Sequence, residues 1–389
     1  MKDFTFVSPT KIYFGKNSLS KLLEALKNYK KVLLVYGQNS IKKLGLYDEV
    51  ISLLSSANIG YFELSGIRPN PDISKVKEGL KIVKDNDVEL ILAIGGGSVI
   101  DTAKSIAASY YYDGDPFDLN LHIAQPTRAL PIGVILTISA SGSELSDSCV
   151  VMDDKTKVKQ GFNSDIVRPT FAIMNPEYTY SVSRYQTGCG IVDIISHSLE
   201  RYFSPSEELE VCDTLALAVI KDTIEAGKVA IKEPNNYDAR AALMLLGSYS
   251  HNGLTSLGKE KQMPIHAMEH AMSAYDIRIA HGAGLSILTP LWMEASYQKD
   301  LDKFARFAKD IFNVNEQNKE NCALKGIELL REYFKSIDMP TTLKEVDLTK
   351  DDIPQIVDMM TKNGTRLIGQ KSINPLNKEE IVKLMNTIL

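Results

Sequence analysis

The chain has 389 residues and a formal net charge of −5. This acidic balance, together with the absence of any dense lysine or arginine cluster, excludes a nucleic-acid-binding surface. A hydrophobic fraction of 44% and a charged fraction of 24% are typical of a soluble globular protein. The length predicts two domains rather than one.

Compartment and membrane association are predicted from cysteine usage and from apolar runs. The four cysteines are widely spaced and form no C-x-x-C pair, which predicts reduced thiols in a cytoplasmic protein. The N-terminal segment lacks the apolar run of a signal peptide. No stretch approaches the roughly 20 apolar residues that a membrane helix needs. We therefore expect neither a membrane partner nor a nucleic-acid partner.

Strand and helix signals alternate along the first half of the chain. Short apolar runs predict strands at 31–37, 61–64, 90–97, 130–136 and 170–176. Helical spacing of apolar residues predicts helices at 40–57, at 74–86 and from residue 98 onward. Residues 150–162 predict a β-hairpin around Asp153 and Asp154. Alternating strands and helices predict an α/β domain with a parallel sheet and helices on both of its faces.

The strand signal ends near residue 180, and only helical patterns follow. These predicted helices cover 183–203, 209–232, 237–250, 284–298, 301–312, 321–337, 351–363 and 378–389. We therefore predict an α/β domain over residues 1–180 and an all-helical domain over residues 181–389. A cleft between two such domains is the default location for a ligand.

A glycine-rich stretch, "AIGGGSVIDTAK" at 93–104, ends a predicted strand and opens a helix. Glycines allow close approach of the backbone to a ligand, and a helix N-terminus favours a phosphate. Gly95 and Gly97 fit the G-x-G-x-x-G dinucleotide pattern, but position 100 is Ile, and the stretch follows the third predicted strand rather than the first. A tight strand-to-helix turn is the alternative interpretation, with Ser98 and Asp101 forming a capping box.

Three of the six histidines lie in one short segment, "MPIHAMEHAMSAYDIRIAHG" at 263–282. His266 and His270 are four residues apart on a predicted helix, a spacing that Asp193 and His197 repeat on another helix. Together with His281, these side chains could surround a divalent cation, whereas a single buried histidine is usually a core residue. His122 and His251 lack such neighbours, and we interpret both as structural or surface residues.

In this order, "GGGSVIDTAK", "TISASGSE", "GIVDIISHSLE" and "HAMEHAMSAYDIRIAHGAGL" resemble the iron-containing alcohol dehydrogenases. The opening "PTKIYFG" and the closing "INPLNKEEI" also fit, so the resemblance covers nearly the whole chain. The resemblance is strongest to the branch of butanol dehydrogenases and broad aldehyde reductases. It implies a dinucleotide-binding α/β domain followed by a helical metal-binding domain, in a homodimer.

The resemblance also assigns roles to residues. It implies one divalent ion, Fe(II) or Zn(II), held by Asp193, His197, His266 and His281. His270 matches a histidine near the substrate, and Lys159 matches a lysine at the cleft; both are expected to be catalytic. The expected cofactor contacts are Gly37, Gln38, Asn39, Ser40, Asn70, Gly95, Gly96, Gly97, Ser98, Asp101, Thr137, Ser141 and Tyr178. The family often has Thr where Ser141 stands, a change that keeps the hydroxyl.

Cofactor choice is predicted from the residues that follow the first predicted strand, Gly37 to Ser40. They include no carboxylate to bind an adenosine ribose or to repel a 2′-phosphate, and Lys42 and Lys43 follow. This segment resembles the NADP-using members of the branch, so we predict NADP(H) rather than NAD(H).

The function implied by the resemblance is hydride transfer between a nicotinamide and a primary alcohol or aldehyde. Glycerol dehydrogenase-like and dehydroquinate synthase-like enzymes of the same fold are alternatives. The latter needs a cationic cluster for a substrate phosphate, whereas the segments around the predicted ligands are mostly apolar. A metal-dependent hydrolase would leave the glycine stretch unexplained, and a non-catalytic binding protein would leave both predicted sites unexplained.

Overall fold

The computed structural model describes residues 3–205 and 210–389, which form two compact units. The α/β unit comprises Val7–Val182 and Glu233–Asn252. The helical unit comprises Ser183–Lys232 and Gly253–Leu389, with the N-terminal residues up to Phe6. Nothing in the described helices has both the length and the apolar character that crossing a membrane requires.

The α/β unit contains eight strands and seven α-helices among its described residues. The strands are β1 (Lys11–Phe14), β2 (Lys31–Tyr36), β3 (Gly60–Leu64), β4 (Leu90–Gly95), β5 (Ile132–Leu136), β6 (Ser148–Asp153), β7 (Val158–Asn163) and β8 (Phe171–Met174). The helices are α1 (Leu22–Leu26), α2 (Ser40–Lys43), α3 (Leu46–Ser56), α4 (Ile73–Asn86), α5 (Gly97–Ser109), α6 (Phe117–Asn120) and, from the second segment of this unit, α9 (Tyr237–His251). The predicted parallel sheet and the predicted hairpin, formed by β6 and β7, are confirmed.

Six strands form a parallel sheet in the order β1-β8-β5-β4-β2-β3. Alternate residues of β2 and β4 face opposite sides, as strand geometry dictates. Leu33, Val35 and Ile91 pack into one buried cluster with α4 and α5, whereas Val32 and Leu34 pack into the other with α1 and α3. The sheet therefore has a core on each face, which explains why its inner strands β2, β4, β5 and β8 are continuous apolar runs.

Two details of this unit differ from the sequence prediction. The single helix predicted at 40–57 is wrong, because Gly45 has a φ of +74° and separates α2 from α3. Strand β1 was not predicted, since it has four residues and lies at the sheet edge. The glycine stretch consequently follows the fourth strand along the chain rather than the third.

Helix α9 packs with the α/β unit, although the sequence prediction placed residues 237–250 in the helical domain. Met244 joins the buried cluster beneath α5, and Ser248 Oγ donates a hydrogen bond of 2.5 Å to Glu144 Oε1. Arg168 Nη1 donates to the carbonyl oxygen of Asn252 at 3.3 Å. These contacts are between distant parts of the chain, so helical periodicity alone does not reveal them.

The helical unit is built from eight further α-helices in its described residues. They are α7 (Arg184–Tyr202), α8 (Glu210–Lys232), α10 (Pro264–Tyr275), α11 (His281–Ser296), α12 (Leu301–Phe312), α13 (Lys319–Ser336), α14 (Ile353–Thr361) and α15 (Lys378–Met385). We take α7 as the central helix. Helix α7 packs against α8, α10 and α11. Fifteen of its residues, Thr187–Glu200 and Tyr202, are buried. A helix buried on nearly all sides holds its side chains in fixed positions, which suits a functional site.

Candidate metal and cofactor sites

The predicted cofactor residues lie at the carboxyl ends of the parallel strands. Gly37 follows β2, Gly95 ends β4 and Gly96–Ser98 follow it, and Thr137 follows β5. In the sheet, β3 lies next to β2 on one side, whereas β5 lies next to β4 on the opposite side, so the chain leaves these two neighbouring strands in opposite directions. The sheet thus has a topological switch point between β2 and β4, which is where open α/β sheets bind their ligands.

The glycine stretch packs closely against the segment after β5. A Cβ atom at Gly96 would collide with Ile138 Cγ2, and one at Gly97 would collide with Ser141 Oγ. The glycines are therefore required by packing within the protein, and this packing brings the glycine stretch and Ser141 together. Both segments were predicted to contact the cofactor, and the structure places them side by side.

The capping box predicted for Ser98 and Asp101 is wrong. Helix α5 begins at Gly97 after an extended Gly96, and no side chain caps its first N–H groups. The Asp101 carboxylate instead accepts hydrogen bonds from Ser143 Oγ at 2.6 Å and from Val150 N at 3.1 Å. Asp101 therefore ties α5 to β6. An uncapped helix start after glycines is what a pyrophosphate needs.

The remaining predicted cofactor residues are distributed along the same sheet edge. Gln38, Asn39 and Ser40 are exposed at the start of α2. Asn70 follows β3, has a φ of +53° and is 6% exposed. Tyr178 lies in a 3₁₀ turn after β8, where burial raises its pKa to about 12. Lys159 lies on β7.

The candidate metal site lies in the helical unit, where α7, α10 and α11 meet. Asp193 and His197 are on α7, His266 is on α10, and His281 begins α11. One ligand atom from each of Asp193, His266 and His281 lies within 4.8 Å of the other two. His197 is adjacent, because its Nδ1 lies 3.1 Å from Asp193 Oδ1 and its ring centroid lies 4.3 Å from that of His266. The four predicted ligands are thus brought together.

Asp193 Oδ1 is the point on which these histidines converge. His266 Nε2 lies 3.4 Å from this oxygen, and His281 Nε2 lies 3.8 Å from it. Asp193, His197 and His266 are only 4%, 4% and 6% exposed, whereas the side chain of His281 is 28% exposed, so three of the four groups are shielded from water. Three imidazoles and one carboxylate form a donor set that suits Fe(II), Zn(II), Co(II) or Mn(II).

Burial and mutual contact shift the ionisation of these groups. Burial lowers the pKa of His197 to about 3, although the Asp193 carboxylate opposes this effect. Burial also acts to lower the pKa of His266, but the carboxylates of Glu200 and Asp193 raise it to about 9. Burial would raise the pKa of Asp193, yet the histidines around it hold that pKa well below its ordinary range. Near neutral pH, Asp193 is therefore ionised and His197 is neutral, which are the forms of these two groups that bind a cation.

Two buried glutamates next to these histidines were missed by the sequence analysis. Glu200 contacts His266 Nδ1, and Glu269 contacts His281 Nδ1. Each glutamate lies three residues after a candidate ligand on the same helix, Glu200 after His197 and Glu269 after His266. That spacing was a usable signal, but each glutamate contacts a histidine of a different helix, Glu200 one of α10 and Glu269 one of α11.

His270 lies beside the candidate metal site rather than within its closest group. Its ring centroid is 6.5 Å from that of His266 and 5.8 Å from that of His281. Ligand atoms of His270, His281 and Glu269 form a second group within 4.8 Å of one another. Of the two histidines interpreted as structural or surface residues, His122 is exposed and His251 is buried at the end of α9.

Two family models together match nearly the whole chain. The model described as "Iron-containing alcohol dehydrogenase" matches residues 9–176, and the C-terminal model of the same family matches residues 187–389. NADH-dependent butanol dehydrogenase A of Clostridium acetobutylicum is 42% identical over 388 residues, covering 99% of each chain. NADPH-dependent aldehyde reductase YqhD of Escherichia coli is 32% identical, covering 95% of this chain and 96% of that protein.

A solved structure leads to the same conclusion. The crystal structure of NADH-dependent butanol dehydrogenase A from Thermotoga maritima superposes with a TM-score of 0.95 and 37% identity, covering 100% of this chain and 99% of that one. These relatives are dehydrogenases and reductases by name, which favours that activity over a cyclising lyase or a hydrolase. The chain belongs to the iron-containing alcohol dehydrogenase family, in its butanol dehydrogenase and aldehyde reductase branch, and is an NAD(P)-linked enzyme of that class that uses a divalent metal.

Proposed function

We propose that the chain reduces aldehydes to primary alcohols, and catalyses the reverse oxidation, with NADP(H) and one divalent ion per chain. The convergence of His197, His266 and His281 on the Asp193 carboxylate carries this proposal. These four residues are the proposed ligands, and Fe(II) or Zn(II) is the proposed ion. When bound, such an ion supplies a Lewis acid for the substrate oxygen, and the reduced nicotinamide supplies the hydride.

The protein's own side chains have three tasks in this reaction. Asp193 contributes the negative charge that favours a cation in a buried site. The buried helices α7, α10 and α11 hold the histidines in fixed positions and keep water away. His270, one turn along α10 from His266, is proposed to pass a proton between the substrate oxygen and solvent.

The proposed cofactor contacts are those expected from the sequence. The N–H groups at the start of α5, after Gly95 and Gly96, are proposed to bind the pyrophosphate. Thr137 and Ser141 are proposed to contact the nicotinamide half, because they follow the neighbouring strand β5. Lys159 on β7 is retained as a proposed catalytic residue.

The preference for NADP(H) rests on the segment Gly37–Ser40. It has no carboxylate, and its three exposed polar residues leave room for a 2′-phosphate. Lys42 Nζ lies 4.8 Å from the ring centroid of Tyr47, so a positive charge is held on the first turn after this segment. The names of the relatives include both NADH-dependent and NADPH-dependent enzymes, so this preference requires a direct measurement.

Substrate class and assembly are proposed from the relatives. The names "butanol dehydrogenase" and "aldehyde reductase" support short primary alcohols and their aldehydes as substrates. A homodimer in the cytoplasm remains our proposal, and sedimentation of the purified protein tests the dimer. All four cysteines are buried and none is paired in a disulfide, which fits a reducing compartment.

The deciding experiment mixes the purified protein with a nicotinamide cofactor and a panel of aldehydes that includes butanal. Oxidation of the cofactor, followed by its absorbance, should depend on the aldehyde and should be faster with NADPH than with NADH. Equal kcat/KM values for the two cofactors, or a higher value for NADH, would disprove the cofactor preference. No oxidation with any aldehyde or cofactor would disprove the activity.

A further inference from the structure

Two carboxylates lie deep in the helical unit without any task in the proposed function. Glu200 is 2% exposed and Glu269 is 0% exposed. A buried carboxylate is costly unless it is paired and hydrogen-bonded, so contacts must offset this cost. Both glutamates have their contacts at histidines that are proposed to bind the metal.

Glu200 fixes both the backbone and the ring of His266. Its Oε1 accepts a hydrogen bond from Ile265 N at 2.6 Å, and Oε2 contacts His266 Nδ1. Met263, the residue before α10, has no side chain that caps the helix. The Glu200 carboxylate, which belongs to α7, accepts the hydrogen bond from the first turn of α10 instead. A negative charge at a helix N-terminus is also favoured by the helix dipole. One side chain thus sets the position of α10 relative to α7 and the orientation of its histidine.

Glu269 makes the corresponding contact between α10 and α11. Its Oε2 contacts His281 Nδ1 at the start of α11. The side chain lies directly against the backbone of that helix, because a Cβ atom at Gly284 would come within 2.8 Å of Glu269 Cγ. Gly284 therefore makes the room that this contact needs. The two glutamates link α7 to α10 and α10 to α11.

The consequence for each ring is that its other nitrogen points into the site. With Nδ1 held by a glutamate, His266 directs Nε2 to within 3.4 Å of Asp193 Oδ1. His281 directs Nε2 to within 3.8 Å of the same oxygen. His197 differs, because its Nδ1 is the atom 3.1 Å from Asp193. A carboxylate on the far nitrogen of a histidine fixes its tautomer and strengthens it as a metal ligand.

We propose that Glu200 and Glu269 are positioning residues of the metal site, each holding one histidine by Nδ1 so that Nε2 coordinates the ion. This inference rests on the proposed ligand set. Loss of such a partner typically lowers metal affinity about 10- to 100-fold. Both residues act through a histidine and neither touches the ion.

The test compares metal affinity among four variants and the wild type. Each protein is stripped of metal, and its dissociation constant for Zn²⁺ is measured by competition with a chromophoric chelator. Glu200→Gln and Glu269→Gln keep the side-chain shape but lose the charge. Glu225→Gln is the matched control, since its side chain is 64% exposed on α8. His266→Ala removes a proposed ligand.

The expected result is a dissociation constant raised about 10- to 100-fold in Glu200→Gln and Glu269→Gln, and unchanged in Glu225→Gln. Wild-type affinity in both glutamine variants, with lost affinity in His266→Ala, would overturn the inference and leave the ligand set standing. Wild-type affinity in His266→Ala would instead overturn the ligand set itself.

A second measurement needs no variant and therefore does not depend on whether one folds. In wild-type protein with ¹⁵N-labelled histidine and bound Zn²⁺, the ¹⁵N shifts report which ring nitrogen carries the metal. We expect Nδ1–H and metal-bound Nε2 for both His266 and His281. Coordination through Nδ1 at either residue would overturn the proposal for that residue.

Discussion

Lys104 offers a sharp test of how the glycine-rich helix is anchored. Its side chain is fully buried, and its Nζ donates to Ser146 O at 2.9 Å, Ser146 Oγ at 3.2 Å and Ser148 O at 2.8 Å. Burial lowers its pKa, while the neighbouring Asp101 carboxylate opposes that shift. The single ammonium group thus holds the start of β6 against α5, whose first residues form the proposed pyrophosphate site.

Replacing this lysine with methionine keeps most of the volume and removes every one of these bonds. The two backbone carbonyls lose a charged hydrogen-bond donor. Each buried group left unsatisfied lowers the stability of the folded state by about 1–3 kcal/mol. Relief from burying an ammonium offsets part of this loss. We therefore expect Lys104→Met to lower the free energy of unfolding by about 2–4 kcal/mol, a large part of the roughly 5–15 kcal/mol typical of folded domains.

The assay is urea unfolding followed by circular dichroism, with Lys81→Met as the control. Lys81 is exposed on α4, and surface substitutions usually change stability by less than about 0.5 kcal/mol. If Lys104→Met and Lys81→Met unfold at the same urea concentration, the buried ammonium does not anchor β6 and the reasoning fails.

His266→Ala should abolish tight metal binding and activity together; elemental analysis checks this, and full metal occupancy in the variant would refute the assignment. His270→Ala should keep the metal and lower kcat about 10²- to 10⁴-fold, whereas wild-type turnover from pH 6 to 9 would refute proton transfer by this residue. Gly37→Asp should shift the ratio of kcat/KM values toward NADH, because the new carboxylate repels a 2′-phosphate and can bind a ribose; an unchanged ratio would contradict the placement of this segment. The metal-free protein should be most stable near pH 6.5. Below that pH, His197 takes up a proton in the unfolded state but not in the folded state, where its pKa is about 3, so the free energy of unfolding decreases as the pH falls. Above pH 6.5 the stability that His266 contributes is lost as the pH rises through its pKa of about 9. Urea unfolding across pH 5 to 10 measures this, and His266→Ala should lack the decline on the alkaline side; the same decline in that variant would contradict the account.

The sheet was predictable because its central strands β2, β4, β5 and β8 are buried on both faces and are therefore continuous apolar runs. The break at Gly45 was missed, since the helical spacing of apolar residues continues on both sides of it. The edge strand β1 was missed because its four residues are only partly buried or exposed, so they form no continuous apolar run. Periodicity thus detects elements that bury a whole face and overlooks short or interrupted ones.

The pairs Asp193–His197 and His266–His270 were visible in the sequence because i, i+4 spacing on a helix is a local property. The choice of Asp193, His197, His266 and His281 as the ligands came from the family resemblance. The partners of those ligands were not, because Glu200 and Glu269 contact histidines 66 and 12 residues away along the chain. The glycine stretch shows the same limit. Its glycines signalled close backbone approach, but the packing of Ile138 and Ser141 against them depends on how β5 lies beside β4.

The central claim is that one ion at the Asp193 site makes this chain an aldehyde reductase. It is tested most directly by stripping the enzyme with a chelator and titrating Fe²⁺ or Zn²⁺ back while NADPH oxidation by butanal is followed. We predict negligible turnover without metal and activity that rises linearly to saturation at one ion per chain. Full turnover in the stripped enzyme, or saturation at any other stoichiometry, would contradict the claim.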